Sequence, residues 1–270
     1  MTPLTIGNTG LAVRRLQQQL NAAGARPPLL DDGHFGLKTQ DAVRAAQRRL
    51  GLVVDGIAGP KTLETLARGA KPRWLLGEGD LERAAQRLGV SLAAVKAVNE
   101  VESRGEGFLP EMRPVILFER HIMYRQLAAT GRDADAIAAE LPAIVNRARG
   151  GYIGELAEHR RLAQAKAIDA ACAIESASWG LYQVMGYHWQ ALGYESADMF
   201  EALMSRSEAD QLDAFVRFIL ANPALHKALK ARKWAAFAAG YNGPAYRDKL
   251  YDTKLARAFE RHTDPETAEA

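Results

Sequence analysis

The chain has 270 residues, enough to bury a substantial core in one large domain or two unequal ones, and its 48 % hydrophobic and 25 % charged residues are an ordinary globular balance. A formal net charge of +3 favours polyanionic partners, among which nucleic acid, anionic lipid and the acidic bacterial wall all qualify on charge alone. The single cysteine, Cys172, excludes an internal disulfide, and no run of about 18 apolar residues is present to span a bilayer.

Alanine, leucine, arginine and glutamine are plentiful and β-branched runs scarce, so the expected fold class is mainly α. The opening MTPLTIGNTG has neither a basic nor an apolar segment of the kind that forms a secretory signal. Residues 1–70 read as a self-contained unit. TGLAVRRLQQQLNAAG sets Val13, Leu16 and Leu20 on one helical face before Gly24, and TQDAVRAAQRRLG does the same with Val43, Ala46 and Leu50 before Gly51. Around this second helix a short pattern occurs twice: DDGHFGLKTQDAV at 31–43 and VDGIAGPKTLETL at 54–66 share Asp-Gly, a second glycine and then Lys-Thr. The common spacing predicts two turn-then-helix units, with Thr39 and Thr62 near helix starts, and hence a three-helix module. Residues 71–79 carry Gly, Pro and Lys between helical patterns and read as a short linker.

A second domain is expected over 80–262. Asp80 and Ser91 are N-caps for two short helices, the second ending at Glu102 ahead of Gly105. A helix C-terminus and a desolvating cleft wall both favour the protonated form of Glu102, which is the state a general acid needs. Pro114 then leads PVILFE, a strand-like run that carries Glu119 to its far end, with Glu111 in the turn before it. Two carboxyls in unlike environments suit glycosidic cleavage, one protonating the leaving oxygen and the other placing water or steadying an oxocarbenium-like transition state. The competing reading makes each glutamate a solvated residue or an ion-pair partner of Arg104, Arg113 or Arg120.

A long helix is expected over 155–175, with Cys172 as a small core residue in it. ESASWGLYQVMGYHW, at 175–189, gathers Trp and Tyr rings, a glutamine and glycines, a composition that serves sugar faces and core packing equally well. FAAGYNGPAY, at 237–246, predicts a helix end at Gly240-Tyr241 that leaves Tyr241 and Asn242 on a loop. Its flanks, within 226–262, alternate bases with apolar residues; they read either as solvated faces of packed helices or as a contact for an anionic outer membrane or lipopolysaccharide. TDPETAEA, at 263–270, reads as a disordered tail. The six histidines show no metal-ligand spacing, and no phosphate loop or nucleophile elbow is present, so no metal or cofactor is expected.

Over 7–68, the set Gly10, Val13, Leu16, Gln17, Leu20, Asp32, Gly33, Phe35, Gly36, Thr39, Gln47, Asp55, Gly56, Gly59, Thr62 and Leu66 resembles the peptidoglycan-binding domain of type 1. Further on, Glu102-Ser103, then Gly180-Leu181-Tyr182-Gln183, then Ala239-Gly240-Tyr241-Asn242 resemble, in order, motifs of goose-type lysozymes and lytic transglycosylases. GFLPEMRPVILFERHIMYR is similar to the N-acetylmuramidase domain of modular phage endolysins. The resemblance implies a wall-binding module before a lysozyme-like helical domain with a small β element. It also implies that Glu102 protonates the oxygen between N-acetylmuramic acid and N-acetylglucosamine. Glu119 would be the second carboxylate and Glu111 a further candidate, although many relatives carry Asp-Gly where Glu111 precedes Met112. Gln183, Tyr187, Tyr241 and Asn242 would line the saccharide cleft, and His121 would orient Glu119. Such an enzyme would be a monomer that binds peptidoglycan and not nucleic acid, held in the host cytoplasm until the membrane is breached. Two other readings compete: a lytic transglycosylase that leaves anhydro ends, and a wall-binding protein without catalysis.

Overall fold

The computed structural model describes residues 2–103 and 105–263, so the tail expected at 263–270 lies outside the described residues except for Thr263, the last residue of a helix. The chain divides into two compact units, 1–83 and 84–270. The division falls inside α4, Glu78–Leu88, beyond the 71–79 stretch read as a linker, and Leu75 and Leu76 of that stretch are buried.

Three helices build the first unit: α1, Leu11–Ala22; α2, Leu37–Leu50; and α3, Pro60–Arg68. Their apolar stripes meet in one core, where Val13, Leu16 and Leu20 pack with Phe35, Val43, Ala46 and Ala58. Gly51 and Gly69 end α2 and α3 in the left-handed conformation, at φ 69° and 75°. At the starts of these helices stand Gly36 and Gly59 without side-chain caps. The expected threonines sit two positions inside the helices, buried, and a glutamine from the preceding helix bonds each of them. Gln17 Nε2 donates to Asp32 Oδ1 at 2.9 Å, His34 O at 3.0 Å and Thr39 Oγ1 at 3.2 Å, while Gln17 Oε1 accepts from Gly33 N at 2.9 Å. Gln47 repeats this with Asp55 Oδ1 at 2.7 Å, Ile57 O at 3.0 Å, Thr62 Oγ1 at 3.2 Å and Gly56 N at 2.9 Å. The duplicated sequence pattern is therefore a duplicated hydrogen-bond knot.

In the second unit Ser91 caps α5, Leu92–Glu102, by accepting from Ala94 N at 3.3 Å. A loop closed by the Phe108–Pro114 bridge leads to β1, Ile116–Phe118. Two helices, α6 (Arg120–Ala129) and α7 (Ala134–Glu140), precede α8, Glu155–Ile168, and α9, Ala170–Glu175. The single helix expected over 155–175 is broken at Asp169, whose extended backbone lets its carboxylate accept from Cys172 N at 3.0 Å and cap α9. Cys172 is a core residue, and burial, then Asp169, push its thiol up to about 11. The strands β2, Ala177–Trp179, and β3, Val184–Met185, complete an antiparallel sheet in the order β1-β2-β3, with Leu117 opposite Ser178 and Ser178 opposite Met185.

The remaining helices are α10 (Ala197–Met204), α11 (Glu208–Ala221), α12 (Pro223–Lys230), α13 (Trp234–Asn242) and α14 (Tyr251–Thr263). Tyr241 and Asn242 lie in the last turn of α13, not on a loop. Gly240, read as a stop, is a packing glycine instead: a Cβ there would sit 3.2 Å from Leu225 Cδ1. The basic flanks are packed elements. α14 lies along α5 with Leu255 and Ala258 buried, and Arg261 and His262 both pair with Glu100. Among the described residues no helix is long and apolar enough to cross a membrane.

Candidate active site

Glu102 is the last residue of α5 and is 9 % exposed. Burial raises its carboxyl to about 7, and one amide opposes the shift: Asn242 Nδ2 donates to Oε1 at 2.9 Å and to Oε2 at 3.1 Å. The negative end of the helix dipole acts in the same direction as burial. A carboxyl placed this way holds its proton near neutral pH and, once it has given the proton up, meets a donor that spans both oxygens.

The carboxyl faces a cavity of about 540 Å³. Of the residues picked out in the sequence, Glu102, Gln183, Tyr187, Tyr241 and Asn242 all line it. Their duties differ. Tyr187 is 40 % exposed and offers a ring face to whatever enters. Tyr241 spends its hydroxyl on Tyr182 O at 2.6 Å, which fastens α13 to the hairpin of β2 and β3. Gln183 stands at φ 52°, with its Oε1 accepting from Ser178 Oγ at 3.0 Å and its Nε2 donating to Gly180 O at 2.8 Å, so it shapes the wall more than it reaches into the cavity. Trp179 and Tyr182, from the same aromatic stretch, are core residues at 1 % and 2 % exposure, although Tyr182 still contributes to the wall.

Glu119, His121 and Glu111 are not among the residues lining this cavity. β3 lines it, and β1, which leads to Glu119, is the opposite edge strand, two strand spacings or about 10 Å away. Glu119 is at the N-cap of α6, where Tyr152 OH donates to its Oε2 at 2.8 Å and His121 Nδ1 approaches the same oxygen at 3.1 Å. Burial lowers the His121 pKa against the opposing pull of Glu119, whereas burial and Glu119 both raise that of Tyr152. This corner is fixed from below by a buried pair. Glu158 Oε2 accepts from Phe118 N at 3.1 Å and from Arg161 Nη1 at 2.8 Å, and Arg161 Nη1 also donates to Phe118 O at 3.0 Å. Glu111 is exposed beside Met112, which turns the loop at φ 58°.

Sequence reasoning missed His188, Phe218 and Tyr251, which also line the cavity. His188 lies between Tyr187, 4.4 Å away, and Phe218, 5.0 Å away between ring centres, and burial lowers its pKa, so at neutral pH it brings no charge to Glu102. Its presence in the stretch 175–189 was the only local signal; Phe218 and Tyr251 come from helix faces that nothing in their neighbourhood marks. Among the described residues no cluster of His, Cys, Asp and Glu is suited to a metal ion.

A helical domain with a small sheet, a walled cavity and one desolvated acid, preceded by a duplicated three-helix module, defines a modular protein with a lysozyme-like domain. The N-acetylmuramidase family model matches residues 91–263, and the chain belongs to that family. A second model, described as "Putative peptidoglycan binding domain", matches residues 9–66. The crystal structure of Burkholderia AP3 phage endolysin superposes with a TM-score of 0.92 at 57 % identity, covering 97 % of this chain and 99 % of that one. Shorter similarities join the chain to the N-acetylmuramoyl-L-alanine amidase CwlM of Mycobacterium tuberculosis, 48 % identical over 54 residues, which are 20 % of this chain and 13 % of that protein. The amidase CwlL of Bacillus licheniformis is 43 % identical over 74 residues, 27 % of this chain and 21 % of that protein. The chain thus spans about an eighth and about a fifth of the length of these two curated relatives.

Proposed function

We propose that the chain is an endolysin: a peptidoglycan hydrolase that cleaves the β-1,4 bond between N-acetylmuramic acid and N-acetylglucosamine, with residues 9–66 holding the wall. The observation that carries this reading is the buried Glu102 carboxyl, raised to about 7 on the wall of a cavity large enough for sugar rings. Protonated Glu102 gives its proton to the glycosidic oxygen as the bond breaks. The carboxylate left behind is held by Asn242 and then takes a proton from the water that completes the reaction. Tyr187, Tyr251 and Phe218 provide apolar faces for the sugar rings, and Gln183 and Tyr241 hold the wall to which they belong. Glu119, with Tyr152 and His121, supports the sheet edge beside the cavity rather than acting on the substrate from within it. The enzyme would reach the wall from the host cytoplasm when the membrane is opened.

One observation favours a second reading. Glu102 is the only carboxylate lining the cavity among the described residues, and a single acid also suffices for attack by the 6-hydroxyl of the muramic residue itself, the lytic transglycosylase reaction. Mass spectrometry of fragments released from purified peptidoglycan by wild type and Glu102→Gln separates the two. Reducing muramic ends that vanish in the variant support hydrolysis, and anhydro ends move the assignment to the transglycosylase. No release by folded wild type leaves a wall-binding protein without catalysis.

A further inference from the structure

Gln211, on α11, is buried, and its amide joins two segments that lead into the cavity wall. Its Oε1 accepts from Leu181 N at 2.7 Å, and its Nε2 donates to Gly107 O at 3.2 Å and to Met204 O at 2.8 Å. One turn earlier on the same helix, Glu208 Oε1 accepts from Gly107 N at 3.0 Å, so α11 holds both backbone groups of Gly107. Space around the amide is tight on two sides. A Cβ on Gly107 would fall 2.3 Å from Gln211 Oε1, and one on Gly180 would fall 2.3 Å from Gln211 Cδ. Two glycines in separate segments are thus shaped around one side chain.

Leu181 runs directly into Tyr182, Gln183, Val184 and Met185 of the wall, and Gly107 belongs to the segment that leaves Glu102 and Ser103. From the other side α13 closes the circuit, with Tyr241 bonded to Tyr182 O and Asn242 to Glu102. Gln211, a side chain of fixed length, thus ties the segment that follows the acid to the hairpin that lines the cavity. We infer that Gln211 is a positioning residue for Glu102, clamping the β2–β3 hairpin against the segment that follows the acid and so keeping water away from the carboxyl. This deepens the general-acid reading of Glu102 and rests on it.

The groups facing Glu102 make the inference measurable. The other titratable side chains lining the cavity are His188, Tyr182, Tyr187, Tyr241 and Tyr251, and no lysine, arginine or second carboxylate lines it among the described residues. Glu100, two residues back on α5, is paired with Arg261 and His262 of α14. A lower ionisation of Glu102 in a Gln211 variant then reports hydration of the wall, not a changed charge partner.

Gln211→Met keeps the length and removes all three hydrogen bonds. Gln211→Glu keeps an acceptor for Leu181 N but turns an oxygen towards Gly107 O and Met204 O. The test is kcat and KM against pH on soluble peptidoglycan fragments for wild type and both variants, with circular dichroism at each pH. The expected result in both variants is a kcat about 10- to 100-fold lower with KM little changed, and in Gln211→Met, which adds no charge, an alkaline limb of kcat/KM moved down by about one pH unit. A folded variant with wild-type kcat and an unmoved limb overturns the inference. Loss of folding in both variants overturns it too, because Gln211 would then be structural only. A wild type with no alkaline limb, and with release that survives in Glu102→Gln, removes the Glu102 reading itself and is distinguishable from either of these.

Discussion

Gln17 and Gln47 in the three-helix unit and Glu102 in the second unit are all buried polar side chains carried on helices, yet their surroundings are opposite. Each glutamine spends both ends of its amide: three acceptors for the nitrogen, and at least one backbone N–H for the oxygen. Among the described residues Glu102 has one amide partner, and an apolar helix lies behind it. A fully satisfied polar group fixes a loop and is chemically silent, whereas an under-satisfied acid keeps a proton it would otherwise lose. The first arrangement yields a rigid module and the second a reactive group, which costs stability whenever the acid must ionise.

The largest effect expected from this contrast is in Glu102→Gln. Turnover should fall by about 1,000-fold or more, while the fold survives. Stability should change in the favourable direction. Because the folded pKa of about 7 lies above the ordinary carboxyl value of 4.5, the wild type loses stability as pH rises between those two values, and the loss is complete above the folded pKa. At pH 8 the glutamine variant should therefore unfold at higher temperature than wild type, by on the order of 3 kcal/mol at most, and at pH 4 the difference should vanish. Scanning calorimetry at the two pH values checks the sign.

In the module the opposite should happen. Gln47→Ala leaves Gly56 N without the Gln47 oxygen and Thr62 with only its bond to Ile57 O, and should cost about 2–4 kcal/mol. Hydrogen exchange should show Gly56 N–H losing protection while Gly33 N–H, held by Gln17 in the other knot, keeps more of its own. Equal loss at both positions would mean that the two knots act as one unit.

Asn242→Ala is the next step down. It removes the donor that receives the Glu102 anion, and kcat should fall about 10- to 100-fold with a smaller change in KM. Smallest should be Glu119→Gln, with a loss of less than about tenfold, because that carboxylate is engaged by Tyr152 and His121 at the far edge of the sheet. A loss as large as that of Glu102→Gln would restore Glu119 as a second catalytic acid. Steady-state kinetics on one soluble substrate ranks all three variants.

How much could be read from the sequence follows the same division. The module was legible because its unit is local: Asp32 and Asp55, Gly33 and Gly56, Thr39 and Thr62 recur at one spacing within single turn-and-helix segments. The cavity is assembled from segments far apart in the chain, and only those carrying a short motif stood out, namely Glu102, Gln183, Tyr187, Tyr241 and Asn242. The strand-like run PVILFE carried Glu119 to the end of β1, but no local pattern says which edge of a sheet a strand will take. Gly240 and Asp169 show the remaining ambiguity. A glycine stops a helix or lets a neighbour pack close, and an aspartate solvates a helix face or caps the next helix, and tertiary contacts decide between them.

The most direct test of the account is an NMR titration of the glutamate side-chain carboxyl carbons in wild type and Glu102→Gln, which identifies the Glu102 signal by its loss. The account predicts a resonance that titrates near 7 and that moves when Asn242 is replaced. A Glu102 carboxyl that titrates in the ordinary range near 4.5 would contradict it, since the acid would then be ionised at the pH where it must hold a proton.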